Sequence, residues 1–282
     1  MNPADPRYAR WALCREMQDA PEIIRRFPEL AGAFAHVVAE AVRRKRGVVV
    51  TGEGSSILFP GRRALAGVRG RRSGLRTFAL GCTEAAEFQF DDYAVLAFSN
   101  SGKTAELLRL LEQLERARHD AVFVATCAPG SPVTQGSAVS FVLPIGRDEA
   151  FAATRSVIAE ALFVDQVFEE LIPLGRNAEK LGALADLFAA TLAAPVTPAS
   201  LERLVKARVV YFTGAPQALP ELALKCNEIA RKPAVPLEGA LIEHGPRKAV
   251  VGPQDAVVPV SGDPYVALAA GWNLLVEAGL AL

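Results

Sequence analysis

A chain of 282 residues, 51% of them apolar, can bury one large core or two medium ones, which argues against a disordered segment. Its 31 basic and 31 acidic residues cancel, so no overall field favours nucleic acid or an anionic membrane. Cys14, Cys82, Cys127 and Cys226 are scattered, with no C-x-x-C and no nearby pair of histidines, so neither a zinc site nor a disulfide framework is signalled and a reduced cytoplasm suits them.

The N-terminal stretch "MNPADPRYARWALCREM" carries charges where a signal peptide needs an apolar core, and no long uncharged apolar run follows elsewhere. Residues 7 to 46 read as helical: Trp11, Leu13, Met17, Ile23, Ile24 and Phe27 fall near helical spacing, with Pro21 as a break. His36 lies among apolar neighbours of the second helix and reads as a packed histidine rather than a catalytic one. The basic runs Arg43 to Arg46 and Arg69 to Arg72 read as solvated ends of elements.

From Gly47 the period changes. "GVVV", "LRTFAL", "YAVLAF", "AVFVAT" and "VSFVLP" are short β-branched or aromatic runs separated by segments long enough for helices, the pattern of a doubly wound parallel α/β sheet. "ELLRLLEQLERA" and "SVIAEALFVDQVFEELI" are amphipathic helices. We place an N-terminal helical segment at 1–46, a first α/β domain at 47–172, and a linker helix with a second, shortened domain at 173–282. The second domain reads as a repeat of the first. Gly214 in "ARVVYFTG" stands opposite Gly52 in "RGVVVTG" (214 − 52 = 162), and Val257 in "DAVVPV" stands opposite Val95 in "YAVLAF" (257 − 95 = 162). The tail "VALAAGWNLLVEAGLAL" contains Asn273 and Glu277 and reads as a packed helix.

Ligands of such sheets gather at the carboxyl ends of the strands, where helix N-termini expose unpaired N–H groups. Two serine-rich turns lie there, "TGEGSS" and "SNSGKT". Ser55, Ser56, Ser99, Ser101 and Thr104 are candidates to surround one dianion, and Gly102 lets the backbone approach it. Three readings of "SNSGKT" stand: a sugar-phosphate cradle, a nucleotide loop resembling G-x-x-x-x-G-K-[ST] with Ala97 in place of the first glycine, and plain helix capping. Downstream, Lys225 and Glu228 lie three apart on one helix face, where a surface ion pair is the default. His244 precedes Gly245-Pro246 and belongs on a loop. A carboxylate, an ammonium and an imidazole are together suited to moving protons between carbon and oxygen.

"GEGSS", "FSNSGKTAEL", "GRDEAFAATRSVIAEAL", "ALKCNEIA" and "EHGP", in that order, resemble the sugar isomerase (SIS) domain proteins. Within that family the likeness is to the tandem-SIS isomerase half of glucosamine-6-phosphate synthase and to stand-alone aldose–ketose phosphosugar isomerases and amino-sugar phosphate deaminases. It runs from about residue 15 to about residue 260. The resemblance implies that Ser56, Ser99, Ser101 and Thr104 hold a sugar phosphate, with Asn100 contributing backbone and amide contacts, and that Thr154 is a further substrate-binding residue. It implies Glu228 as the base that shuttles a proton between C1 and C2, His244 as the group assisting ring opening, and Lys225 beside them. No metal or redox cofactor is implied. A homodimer is, because the histidine of such proteins reaches a neighbouring subunit's site.

Two departures bear on selectivity. Lys103 replaces the acidic residue usual in S-G-E-T, and "AATR" stands where the family often has "ASTK", keeping Thr154 but exchanging lysine for Arg155. The second repeat stops at Leu282 after about three strands, where the family usually continues, so a covering lid is expected to be missing. The sequence thus points to a cytoplasmic phosphosugar isomerase or amino-sugar-phosphate deaminase, with a non-catalytic sugar-phosphate sensor as the alternative and a nucleotide-binding protein third.

Overall fold

The computed structural model describes residues 1, 5–69, 74–175 and 177–282. The chain opens with α1 (Pro6–Ala9), α2 (Ala12–Arg43), β1 (Gly47–Gly52), α3 (Ser55–Val68), β2 (Arg76–Gly81), α4 (Cys82–Ala85) and β3 (Tyr93–Ser99). It continues with α5 (Ala105–Arg116), β4 (Val122–Thr126), β5 (Val139–Val142), α6 (Arg155–Leu171), α7 (Ala178–Ala193) and α8 (Pro198–Lys206). Last come β6 (Val210–Gly214), α9 (Leu219–Ile229), β7 (Ala234–Glu238), α10 (Pro246–Ala249), β8 (Ala256–Val260) and α11 (Pro264–Ala281). These elements form two compact units, one of residues 22–148 and 153–182, the other of residues 1–21, 149–152 and 183–282.

The larger unit is built on a parallel five-stranded sheet in the order β2-β1-β3-β4-β5, a doubly wound arrangement whose strand order reverses beside β1 and β3. All six residues of β1 are buried, as expected of a strand covered on both faces. One face packs Val49, Val95, Ala97 and Val124 against Leu107, Leu110 and Leu114 of α5. On the other, Phe163 of α6 meets Phe98 edge-on and Phe34 of α2 stacks on Phe141 at 4.6 Å between centroids. The smaller unit carries a parallel sheet in the order β7-β6-β8. Its last helix approaches α9 so closely that a Cβ on Gly271 would lie 2.2 Å from Leu222 Cδ2, and Trp272 packs edge-on against Phe188.

The register carries the repeat further than sequence similarity does. Val48 pairs with Ala94 across β1 and β3, and Val210 pairs with Ala256 across β6 and β8. Both partners are shifted by the same 162 positions (210 − 48 and 256 − 94), so the pairing that centres the first sheet recurs in the second.

Several local expectations are corrected. Pro21 does not break α2, whose helical backbone runs through it; the boundary between the two units falls there instead. His36 is exposed and pairs with Glu170 at 3.2 Å, so it is a surface residue and not a packed one. Arg43, Arg44 and Arg46 are exposed at the end of α2, and Arg69 is exposed at the end of α3, whereas Arg71 and Arg72 lie outside the described residues. Among the described residues no single helix is long and apolar enough to cross a membrane, and all four cysteines are free and buried.

Within the larger unit, α3 and α6 are joined by a buried ion pair. Arg63 donates to Asp165 through Nε at 3.1 Å and through its terminal nitrogen at 2.8 and 3.1 Å, with side chains only 8% and 4% exposed. Removing one partner strands the other charge in the interior, so Arg63→Met is expected to lower the unfolding free energy by about 3–5 kcal/mol, and Arg63→Met/Asp165→Leu by distinctly less. Urea unfolding of the three proteins measures both.

Candidate functional site

The turn that follows β3 collects most of the hydroxyls singled out in the sequence. Ser99 Oγ and Thr104 Oγ1 lie 2.9 Å apart in a mutual hydrogen bond, and the Gly102 N–H donates to Ser99 Oγ at 3.0 Å. The Lys103 N–H donates to Ser101 Oγ at 3.2 Å, while the Lys103 side chain is exposed. Gly102 makes this turn possible. Its φ of +61° is left-handed, and a Cβ there would lie 2.0 Å from Ser131 Oγ, 2.5 Å from Ser131 Cβ and 3.0 Å from Thr126 Oγ1.

Helix capping by side chains does not account for these hydroxyls. Thr104 at the N-cap of α5 and Thr154 at that of α6 make no side-chain capping bond, and the N-cap of α3 is Gly54, which has no hydroxyl to offer. By contrast Thr197 caps α8 and Asp263 caps α11 in the ordinary way. Near the carboxyl edge of the first sheet, therefore, the first-turn N–H groups of α5 are not consumed by the N-cap hydroxyl, and the surrounding hydroxyls bond to one another.

The second serine turn behaves differently. Ser55 is half-buried in the first turn of α3, and Ser56 donates its hydroxyl to Glu160 Oε1 at 3.1 Å, a carboxylate fully buried on α6. The structure thus brings Ser99, Ser101, Gly102 and Thr104 together and ties Ser56 to α6. Asn100 joins the turn to a loop missed in the sequence: its Oδ1 accepts the N–H of Asp148 at 3.3 Å. Asp148, Glu160 and Ser131 were not singled out as site residues. They occur singly, and nothing in their spacing marks them. Burial, followed by Glu160 and Asp148, pushes the nearby Cys127 thiol well above its usual range, which leaves it unreactive.

In the other unit, Lys225 is fully buried on α9 and lies between two carboxylates, Glu221 at 3.1 Å and Glu228 at 2.7 Å. This overturns the expected surface pair: an i,i+3 Lys–Glu spacing is the same on a buried face as on an exposed one. Glu221 completes a Glu-x-x-x-Lys-x-x-Glu row that helical spacing alone could have marked. Glu228 is 19% exposed at its side chain and lines a cavity of about 580 Å³ together with Trp11, Phe151, Arg231 and Leu280. His244 is exposed at the end of a single 3₁₀ turn, Leu241–Glu243, ahead of Gly245 at φ +126°.

Two expectations follow. Gly102→Ala should lower the unfolding free energy by about 2–4 kcal/mol through left-handed strain and overpacking, and Ser131→Gly in the same chain should recover the steric part, both read by urea unfolding. For Lys225, burial pulls the pKa down, but Glu221 and Glu228 outweigh it and hold it above the ordinary value of 10.5. The folded state binds this proton more tightly than the unfolded chain, so the stabilisation is complete below 10.5 and lost as pH climbs through the raised value. Lys225→Met should therefore be less stable at neutral pH by about 3–5 kcal/mol, and the gap should narrow at strongly alkaline pH.

Residues 86–170 match the SIS domain family. No curated protein matches the chain in sequence. Solved structures share its fold. The C-terminal domain of glucosamine-fructose-6-phosphate aminotransferase from Francisella tularensis aligns with a TM-score of 0.75 at 15% identity, covering 98% of this chain and 98% of that one. Tagatose-6-phosphate ketose/aldose isomerase from Escherichia coli aligns at 0.74 and 19% identity, covering 93% of this chain and 76% of that one. Glucosamine-6-phosphate deaminase from Thermotoga maritima aligns at 0.67 and 18% identity, covering 96% and 93%. The likeness to the SIS domain family is thus carried by residues 86–170, within a fold that these structures share along more than nine-tenths of the chain.

Proposed function

We propose that this protein is a phosphosugar isomerase or amino-sugar-phosphate deaminase that works by proton transfer between adjacent carbons. The observation that carries the reading is the uncapped N-terminus of α5 beside the Ser99–Thr104 pair, with left-handed Gly102 giving backbone access. A phosphomonoester offers acceptor oxygens to the first-turn N–H groups of α5, which no side chain caps, and to whichever of the Ser99 and Thr104 hydroxyls is not the donor in their mutual bond, and the proposed chemistry leaves its phosphorus untouched. The names of the solved structures with this fold, a ketose/aldose isomerase and a deaminase of hexose phosphates among them, agree with that substrate class.

In this reading Glu228 is the base. Its carboxylate takes the proton from the carbon next to the carbonyl and returns it to the former carbonyl carbon, while the proton of the hydroxyl or amine on the first carbon passes the same way to the carbonyl oxygen, through an enediol or enolamine; with an amino sugar, water then adds to the resulting imine carbon and ammonia leaves. Lys225 orients that carboxylate from one side through its 2.7 Å bond. His244, on its exposed turn, assists ring opening, in the site of the partner subunit of a homodimer. No metal is assigned to the step.

The test is proton exchange in deuterated water. Fructose 6-phosphate, tagatose 6-phosphate, glucosamine 6-phosphate and galactosamine 6-phosphate are incubated with the protein, and product and deuterium at C1 and C2 are followed by NMR. At least one should turn over, and Glu228→Gln should slow it by about 10²–10⁴-fold with KM little changed. Stabilisation by a hexose phosphate that is lost in Ser99→Ala/Ser101→Ala, with no exchange for any substrate, would instead establish a sensor.

A further inference from the structure

The N-cap of α6 carries a threonine that does not cap. At such a position the hydroxyl ordinarily accepts the backbone N–H two or three residues on, here beginning with Ser156. Thr154 Oγ1 is fully buried and has no hydrogen-bond partner among the described residues. The Ser156 N–H goes instead to Asp148 Oδ2 at 3.3 Å, which also accepts the Thr154 N–H at 3.1 Å and the Ser156 hydroxyl. The carboxylate faces Arg155 Nε at 3.2 Å through its other oxygen, and the Asp148 N–H donates to Asn100 Oδ1 at 3.3 Å. One buried residue thus occupies the capping place of Thr154 and connects α6 to the turn that carries Ser99 and Ser101.

This arrangement is costly as it stands. A buried hydroxyl without a partner is unfavourable, and Thr154 would recover much of that cost by capping α6 itself if Asp148 were not already there. We propose that Asp148 is a positioning residue: it caps α6 in place of Thr154, so that the Thr154 hydroxyl stays available to the phosphosugar, and its backbone keeps the 99–104 turn in register with α6. The inference rests on the phosphosugar reading above for its ligand, and on the geometry alone for the exchange of capping roles.

A double-mutant cycle with Thr154→Val and Asp148→Ala tests both halves. In the ligand-free protein, Thr154→Val should leave the melting temperature unchanged or raise it by about 2–4 °C, because it removes an unpaired buried hydroxyl. In the Asp148→Ala background the sign should reverse to a loss of similar size, because Thr154 has then become the cap. For fructose 6-phosphate, each single variant should weaken binding about tenfold, the double variant no more than either, and Asp148→Asn, which keeps an acceptor, should stay within about threefold of the original. KM should follow these shifts while kcat holds within about threefold. A Thr154→Val variant that melts lower in the original background overturns the inference, even where Asp148→Ala fails to fold. So does unchanged fructose 6-phosphate binding in Thr154→Val. A protein that binds no hexose phosphate removes the functional reading, and the melting-temperature cycle still decides whether the capping roles are exchanged.

Discussion

Position 102 admits only glycine, because its backbone is left-handed and Ser131 and Thr126 fill the space a side chain would take, and much of the candidate site follows from that turn. It places the Gly102 N–H on Ser99 Oγ, sets Ser99 against Thr104, and starts α5 with its N-cap hydroxyl turned away from the helix. The sheet supplies the other constraint. Parallel strands β1, β3 and β4 all end on one edge, so the turn after β3 and the loop after β4 that carries Ser131 are neighbours.

The repeat shows what is special about the first sheet. At the 162-residue offset Ser99 corresponds to Ser261, but Ser101 corresponds to Asp263 (263 − 101) and Gly102 to Pro264 (264 − 102). Asp263 accepts the Tyr265 N–H at 2.9 Å and caps α11 with its own carboxylate, while Pro264 removes one N–H from the helix start. An anion brought to that second helix would meet a fixed negative charge. Two copies of one pairing pattern therefore end in opposite electrostatics, and the candidate phosphate site is assigned to the first.

Much of this was legible in the sequence because strand runs and turn residues are local signals. "YAVLAF" and "SNSGKT" announce a buried strand and an unusual turn with no knowledge of their neighbours. β7, "AVPLE", is poorly marked because Pro236 interrupts its apolar run. Burial was the main unreadable quantity. His36 in an apolar context proved exposed, and Lys225 with Glu228 proved buried, because the orientation of a helix face is decided by what packs on it. Asp148 and Glu160 were unreadable as site residues for a related reason: each acts through a partner distant in sequence, Asn100 for one and Ser56 for the other.

Both units keep polar groups where apolar ones would have been simpler. Lys225 between two carboxylates, Glu160 on Ser56 and Asp148 on α6 each require desolvation that only close pairing offsets, and an apolar side chain of similar volume would hold these helices as well or better. The choice makes physical sense where the polar atom has a second task that packing cannot perform. For Asp148 that task is visible in the bond it takes over from Thr154, and for Lys225 in the partly exposed carboxylate it fixes at the edge of a cavity. The Arg63–Asp165 pair joins α3 to α6 by the same trade, two desolvated charges held by close pairing.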